Sequence, residues 1–209
     1  MKQVGVLWSA LLVGGVVGCG TSPQERFFTL ASAPPAAAAS AAIGPVRLIV
    51  VGPVTVPDLV DRPQFVLRTA PNRVEIAEQA RWAAPLKSEI PRVIADHLAR
   101  LLSGARTATS VERASGIPDY RVLIDIQRFD SAAQDGATIQ ASWTVRTRDG
   151  AAVSGRSLVT EPAGAGYDAL VEAHSRALSR ISGDIARAIE SAPSPKDTAA
   201  IPTPAAEAR

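Results

Sequence analysis

The chain holds one cysteine, Cys19, and two histidines, His97 and His174. A thiolate is a strong nucleophile and a soft metal ligand, so the setting of Cys19 decides much of the available chemistry. It follows Val16-Val17-Gly18 at the end of the apolar run Val4–Val17. With no second cysteine, an intrachain disulfide is impossible. Neither histidine has another three or four positions away, so the helical zinc-ligand spacing is missing. A lone histidine in a helical pattern reads as a surface or core-edge residue. Asp58 and Asp61 flank Leu59-Val60, and paired carboxylates can do acid–base work. Nothing supplies them with a partner or pocket, and turn-forming aspartates in a loop are the simpler reading. No G-x-S-x-G elbow, Walker loop or G-x-G-x-x-G after a strand is present. Gly164-Ala165-Gly166 reads as a loop leading into the last helix. The residues thus offer no catalytic set and no metal set.

The twenty residues around Cys19 define its chemistry. Lys2 gives one positive charge, and the apolar run of roughly 14 residues is shorter than the ~20 that span a bilayer. That is the proportion of a secretory signal peptide. A branched apolar residue, a small residue and then cysteine resembles the lipobox of bacterial lipoproteins. The resemblance implies removal of residues 1–18, a diacylglycerol thioether on Cys19 and an acyl group on its new amino terminus. Those covalent lipids are the only non-protein groups expected, with no cofactor and no metal. Several acyl chains hold a protein on a membrane where one alone does so only marginally. Gly20 stands where Asp would signal inner-membrane retention in enterobacterial lipoproteins, so the expected address is the outer membrane, periplasmic face.

Composition limits how much of the remaining chain can fold. Ala31–Ala42 and Ser191–Arg209 are mostly Ala, Pro and small polar residues, which bury too little apolar surface to offset the entropy of ordering. They read as a linker (31–44) and a disordered tail (191–209). Between Cys19 and the tail lies a lipidated amino terminus, 19–25, and one domain, 26–190, with a foldable part of about 150 residues, enough for one core. The charges nearly cancel, 22 Lys and Arg against 20 Asp and Glu. Arginines are scattered without a basic stripe, so nucleic-acid binding gets no support. No later segment is long and apolar enough to span a membrane.

The elements that position any surface are legible from periodicity. Arg26–Leu30 reads as a short strand, and Val46–Val56 as a central strand that Gly52-Pro53 could interrupt. Gln64–Thr69 and Arg73–Ala77 form a hairpin around Pro71-Asn72. A helix from near Pro85 to Ser103 carries Leu86, Ile90, Val93, Ile94 and Leu98 on one face, with Gly104 as its stop. Pro91 predicts a kink or a delayed start there. Tyr120, Val122, Ile124 and Ile126 alternate with polar residues, as do Ile139, Ala141, Trp143 and Val145. Asp135-Gly136 and Asp149-Gly150 mark turns toward a further strand at Ala152–Thr160. A helix over Tyr167–Ile189 closes the domain. The predicted fold class is α/β: a single-domain sandwich of a mixed β-sheet with two principal helices.

Two runs carry a more specific resemblance. Leu59-Val60-Asp61-Arg62-Pro63-Gln64-Phe65-Val66-Leu67-Arg68 is one, and Arg81-Trp82-Ala83-Ala84-Pro85-Leu86 is the other. With Phe28-Thr29-Leu30 near a lipobox cysteine, they resemble the ABC-type transport auxiliary lipoproteins, the PqiC-like, membrane-integrity-associated subunits that accompany MCE-domain transporters. The resemblance implies an anticodon-binding-like or TolB amino-terminal-like fold. It further implies a non-catalytic outer-membrane subunit of a lipid or hydrophobic-molecule transport system. Its partners would be an MCE-domain protein and its inner-membrane ABC permease and ATPase, and it would form a homo-oligomeric ring. Ala84 departs from the family, where Glu is common.

On that resemblance the candidate interface or structural residues are Asp61, Arg62, Pro63, Gln64, Arg68, Arg81, Trp82, Pro85 and Leu86. Asp61 can accept hydrogen bonds, Pro63 restricts the loop, and the arginines can pair with carboxylates. Trp82 suits either a core edge or an interface. The runs either hold a strand-to-helix corner or touch a partner, and they are expected to meet in space. Functions outside a transport machine are a lipid-binding carrier, an envelope scaffold of the TolB or curli-secretion kind, and, last, a periplasmic enzyme.

Overall fold

A computed structural model of the chain describes residues 24–32, 47–110 and 116–192. Cys19, the leader and nearly all of the Ala/Pro linker and tail lie outside these residues.

Among the described residues, eight strands form one mixed sheet, with two helices on one face. Its frame is β6 (Tyr120–Ala132), paired antiparallel along its whole length with β7 (Gly136–Thr147), which pairs with β8 (Ala152–Glu161). The other edge of β6 is shared. Residues 120–125 take β2 (Arg47–Thr55) in parallel, and Ser131 and Ala132 take β3 (Gln64–Ala70) in parallel. Strand β4 (Arg73–Trp82) folds back on β3, and β1 (Arg26–Phe28) adds in parallel to the end of β4. Beyond β2 lies β5 (Ala105–Thr109), a strand that sequence periodicity did not mark.

Alternation places the expected residues inward. Tyr120, Val122, Ile124 and Ile126 of β6, and Ile139, Ala141, Trp143 and Val145 of β7, are all buried beneath the helices. At Gln127 a bulge inserts one residue, since Ile126 pairs with Ala141 while Arg128 pairs with Gln140. The bulge turns Phe129 and Ser131 into the core and leaves Gln127 and Arg128 exposed.

Helix α1 (Leu86–Leu101) starts without delay. Pro85 caps it, and its carbonyl accepts the amides of Ser88 at 2.8 Å and Glu89 at 3.0 Å. Pro91 sits inside the helix. It removes one hydrogen bond, to the carbonyl of solvent-side Lys87, while the buried stripe Ile90, Val93, Ile94 and Leu98 holds the turn. The helix ends at Leu101, short of the expected Ser103, because Leu102 is already extended; Gly104, with φ +84, instead makes the turn into β5. Helix α2 (Tyr167–Ser191) is two residues longer than its pattern predicts. Gly52-Pro53 does not end β2: its peptide bond is cis, and pairing to β6 resumes at Val54 after a register shift.

Candidate functional site

The two motif runs meet at the corner where β4 passes into α1. Asp61, Arg62 and Pro63 end the loop from β2, and Gln64 opens β3, opposite Arg81 of β4. The Trp82 amide donates to the Pro63 carbonyl at 2.7 Å, and the Ala83 amide donates to that of Phe28 at 2.7 Å. Lys87 Nζ reaches Asp61 Oδ2 at 2.6 Å. One carboxylate of the Asp58/Asp61 pair is therefore engaged by a lysine. Leu86, directly after Pro85, is buried.

Trp82 belongs to the core. The residue is 6 % exposed, and its ring stacks on Phe65 at 4.7 Å, within an aromatic group that includes Phe129 and His174. The arginines diverge. Arg68 forms a bidentate pair with Asp130, at 2.9 and 3.0 Å, and also donates to the Pro71 carbonyl. Arg81 Nη2 meets Glu25 at 3.0 Å, tying the residue before β1 to β4. Half-buried Arg62 has a buried Nε without a hydrogen-bond partner.

Burial works to raise the Asp130 carboxyl, but hydrogen bonds from Arg68 and Arg128 outweigh it and hold the group below the usual range. This cluster lines an open groove of about 700 Å³ with Pro71, Gln134 and Asp135.

Several determining residues escaped sequence reasoning. Glu89 lies in the first turn of α1, where an acidic residue would ordinarily face solvent and the helix dipole. It is instead buried, accepting from Thr29 Oγ1 at 2.6 Å and the Leu30 amide at 3.0 Å, and pairing with Arg92 at 3.1 Å. Arg92 also donates to the Leu30 carbonyl, and the Ala31 amide donates to Ser175 Oγ of α2. The segment after β1 is thus strapped across both helices, with Leu30 in the core. Ala31, expected to open the linker, is part of this strap.

Both histidines are fully buried, contrary to the core-edge or surface expectation. His97 Nδ1 bonds Ser182 Oγ at 3.2 Å. His174 Nε2 lies 2.8 Å from Ser131 Oγ, its ring is parallel to Phe129 at 4.0 Å, and its Nδ1 has no hydrogen-bond partner. Burial pushes its pKa down to about 3, with the Asp130 charge pulling weakly the other way. Glu161, buried under α2, bonds Arg176 at 3.2 Å and makes an ion-pair contact with Arg180 at 2.5 Å. Among the described residues no group of three or more His, Cys, Asp or Glu is placed to hold a metal. No helix among them is long and apolar enough to cross a membrane.

A mixed sheet with two helices on one face, entered by a short strand strapped to the helix layer, defines an α/β sandwich domain. The chain belongs to the family of ABC-type transport auxiliary lipoprotein components, whose sequence model matches residues 28–186. Solved structures share the fold. An uncharacterized protein aligns over 80 % of this chain and 99 % of its own, at 20 % identity and a TM-score of 0.66. Protein XCC0632 from Xanthomonas campestris, a DUF330 member, aligns over 77 % and 92 % at 18 % identity and a TM-score of 0.59. No curated protein matches the chain.

Proposed function

We propose that the chain is a non-catalytic outer-membrane subunit of an MCE-type lipid or hydrophobic-molecule transport system. Lipidated at Cys19, it receives the periplasmic tunnel that begins at an inner-membrane ABC permease and ATPase, works as a homo-oligomer, and so supports membrane integrity. Family membership across residues 28–186 carries this reading. The strap supports it too: a chain anchored at Cys19 enters the domain through Phe28 and Leu30, both core residues, so a load on the tether reaches the fold directly.

Arg62 is the contact offered to the partner. A half-buried guanidinium beside the corner built by Pro63 and Trp82 can pair, through the part that reaches the surface, with a carboxylate from outside. Trp82 holds the corner from within. Photo-crosslinking from position 62 in native membranes tests the reading. Capture of an MCE-domain protein or a sister subunit is expected; capture of neither, with no permease or ATPase co-purifying, sinks it. The anchor has its own test. The mature amino terminus should have the mass of an acylated Cys19, and Cys19→Ser should free the protein from membranes with its melting temperature unchanged.

A further inference from the structure

Strand β1 ends one side of the sheet, and its alternation splits two phenylalanines. Phe28 packs in the core, while Phe27 points to the face without helices and is 63 % exposed. On that same face β4 presents Ile76, 38 % exposed, and Val74, 36 % exposed, opposite Val66 and Arg68 of β3. Arg81, the partner of Phe27, shares the face. These apolar side chains run along β4 for roughly 20 Å at about 3.3 Å per residue.

Direction and length select what meets this strip. Because β1 is parallel to β4, with Arg26 opposite Ala80, the chain before Arg26 leaves the sheet toward the Arg73 end of β4. It leaves beside residues 73–79, the stretch of β4 that β1 does not pair. Cys19 lies seven residues before Arg26. A chain of that length reaches at most about 24 Å, which matches the span of the strip. A lipid fixed at Cys19 therefore holds this end of the domain within reach of the bilayer surface. Leu158 is as exposed as Phe27, at 64 %, and lies on the same face, but β8 is five strands away, about 24 Å across the sheet.

We infer that Phe27, Ile76 and Val74 form the membrane-resting surface of the domain, seated in the lipid interface beside the Cys19 anchor, so that β4 lies along the bilayer while β8, at the opposite edge of the sheet, is held off it. This rests on the reading of Cys19 as the lipidated residue. Aromatic and branched apolar side chains gain from leaving water at an interface, and the flanking Glu25, Arg26, Arg73, Glu75, Glu78 and Arg81 balance in charge, so attachment does not depend on anionic lipid.

The test uses the full lipidated protein in phosphatidylethanolamine/phosphatidylglycerol vesicles containing a lipid with a quencher in its acyl chain. With Cys19 alkylated, Phe27→Cys, Ile76→Cys and Leu158→Cys can each be labelled with an environment-sensitive fluorophore. Labels at 27 and 76 should shift to the blue and be quenched, and the label at 158 should not. Phe27→Asp should release the label at 76 from quenching without changing flotation. Equal behaviour at all three positions, in protein that floats with the vesicles, overturns the surface and leaves the anchor standing. Failure to float, with no quenching, overturns the anchor reading and the surface with it. Protection at 27 that depends on protein concentration and not on the lipid quencher would assign the strip to a second copy and overturn the proposal.

Discussion

The amide of Trp82 donates to the carbonyl of Pro63 at 2.7 Å, and this bond closes the corner between the two motif runs. Around it, Gln64 stands opposite Arg81 and Lys87 reaches back to Asp61. Residues nearly twenty positions apart thereby share one rigid turn, with the Trp82 ring beneath it in the aromatic core.

Trp82→Ala should cost about 3–5 kcal/mol of folding stability, the range for removing a large buried aromatic. Chemical denaturation of the Cys19→Ser background, free of lipid, measures it. An unchanged midpoint would mean that the ring works outside the core.

Glu89→Gln should weaken the strap, since a neutral amide cannot replace the charge-assisted bonds to Thr29, Leu30 and Arg92. A loss of about 1.5–3 kcal/mol is expected. Limited proteolysis near residues 24–32 should accelerate more than cleavage elsewhere. Uniform acceleration would point to global loosening instead.

His174 gives the domain an acid sensitivity. Its folded pKa, about 3, lies below the unfolded value of 6.5, so the unfolded chain binds the extra proton first. Its contribution is complete above pH 6.5 and is lost as pH falls from 6.5 toward 3, at up to about 1.4 kcal/mol per pH unit. Asp130, held below the usual carboxylate range, adds to the loss only near and below pH 4. Denaturation midpoints at pH 7 and pH 5 should differ less in His174→Gln than in the parent; equal differences would refute the assignment.

Three glycine substitutions should rank in a fixed order. Gly150→Ala, with φ +93 and open space around a new Cβ, should cost about 1–2 kcal/mol for the left-handed backbone. Gly155→Ala would place its Cβ 2.3 Å from the Trp143 ring, which a bond to Ser157 Oγ holds in place. Gly136→Ala should be worst, because φ is +82 and the Cβ would lie 2.0 Å from the Glu161 carbonyl oxygen. Melting temperatures of the three variants check the order, and a mild Gly136→Ala would contradict the turn geometry.

Sequence alone determined the parts that local physics controls. Alternation exposed the β6–β7–β8 meander, helical spacing marked α1 and α2, and Asp135-Gly136 marked the first turn of the meander, because each signal lies within a few residues of itself. The two motif runs were visible as runs, and the family with them. Tertiary structure decided the rest. The bulge at Gln127 reverses the expected phase, and only pairing with β7 reveals that Phe129 and Ser131 face inward. β5 is too short to show a period, and its pairing with β2 makes it a strand. Glu89 and His174 have polar side chains whose burial depends on partners 43 to 60 positions away. Trp82 suited a core or an interface equally well as a residue type; stacking on Phe65 placed it inside. A polar or aromatic residue is buried when distant groups satisfy it or enclose it, and one stretch of chain does not encode that proximity.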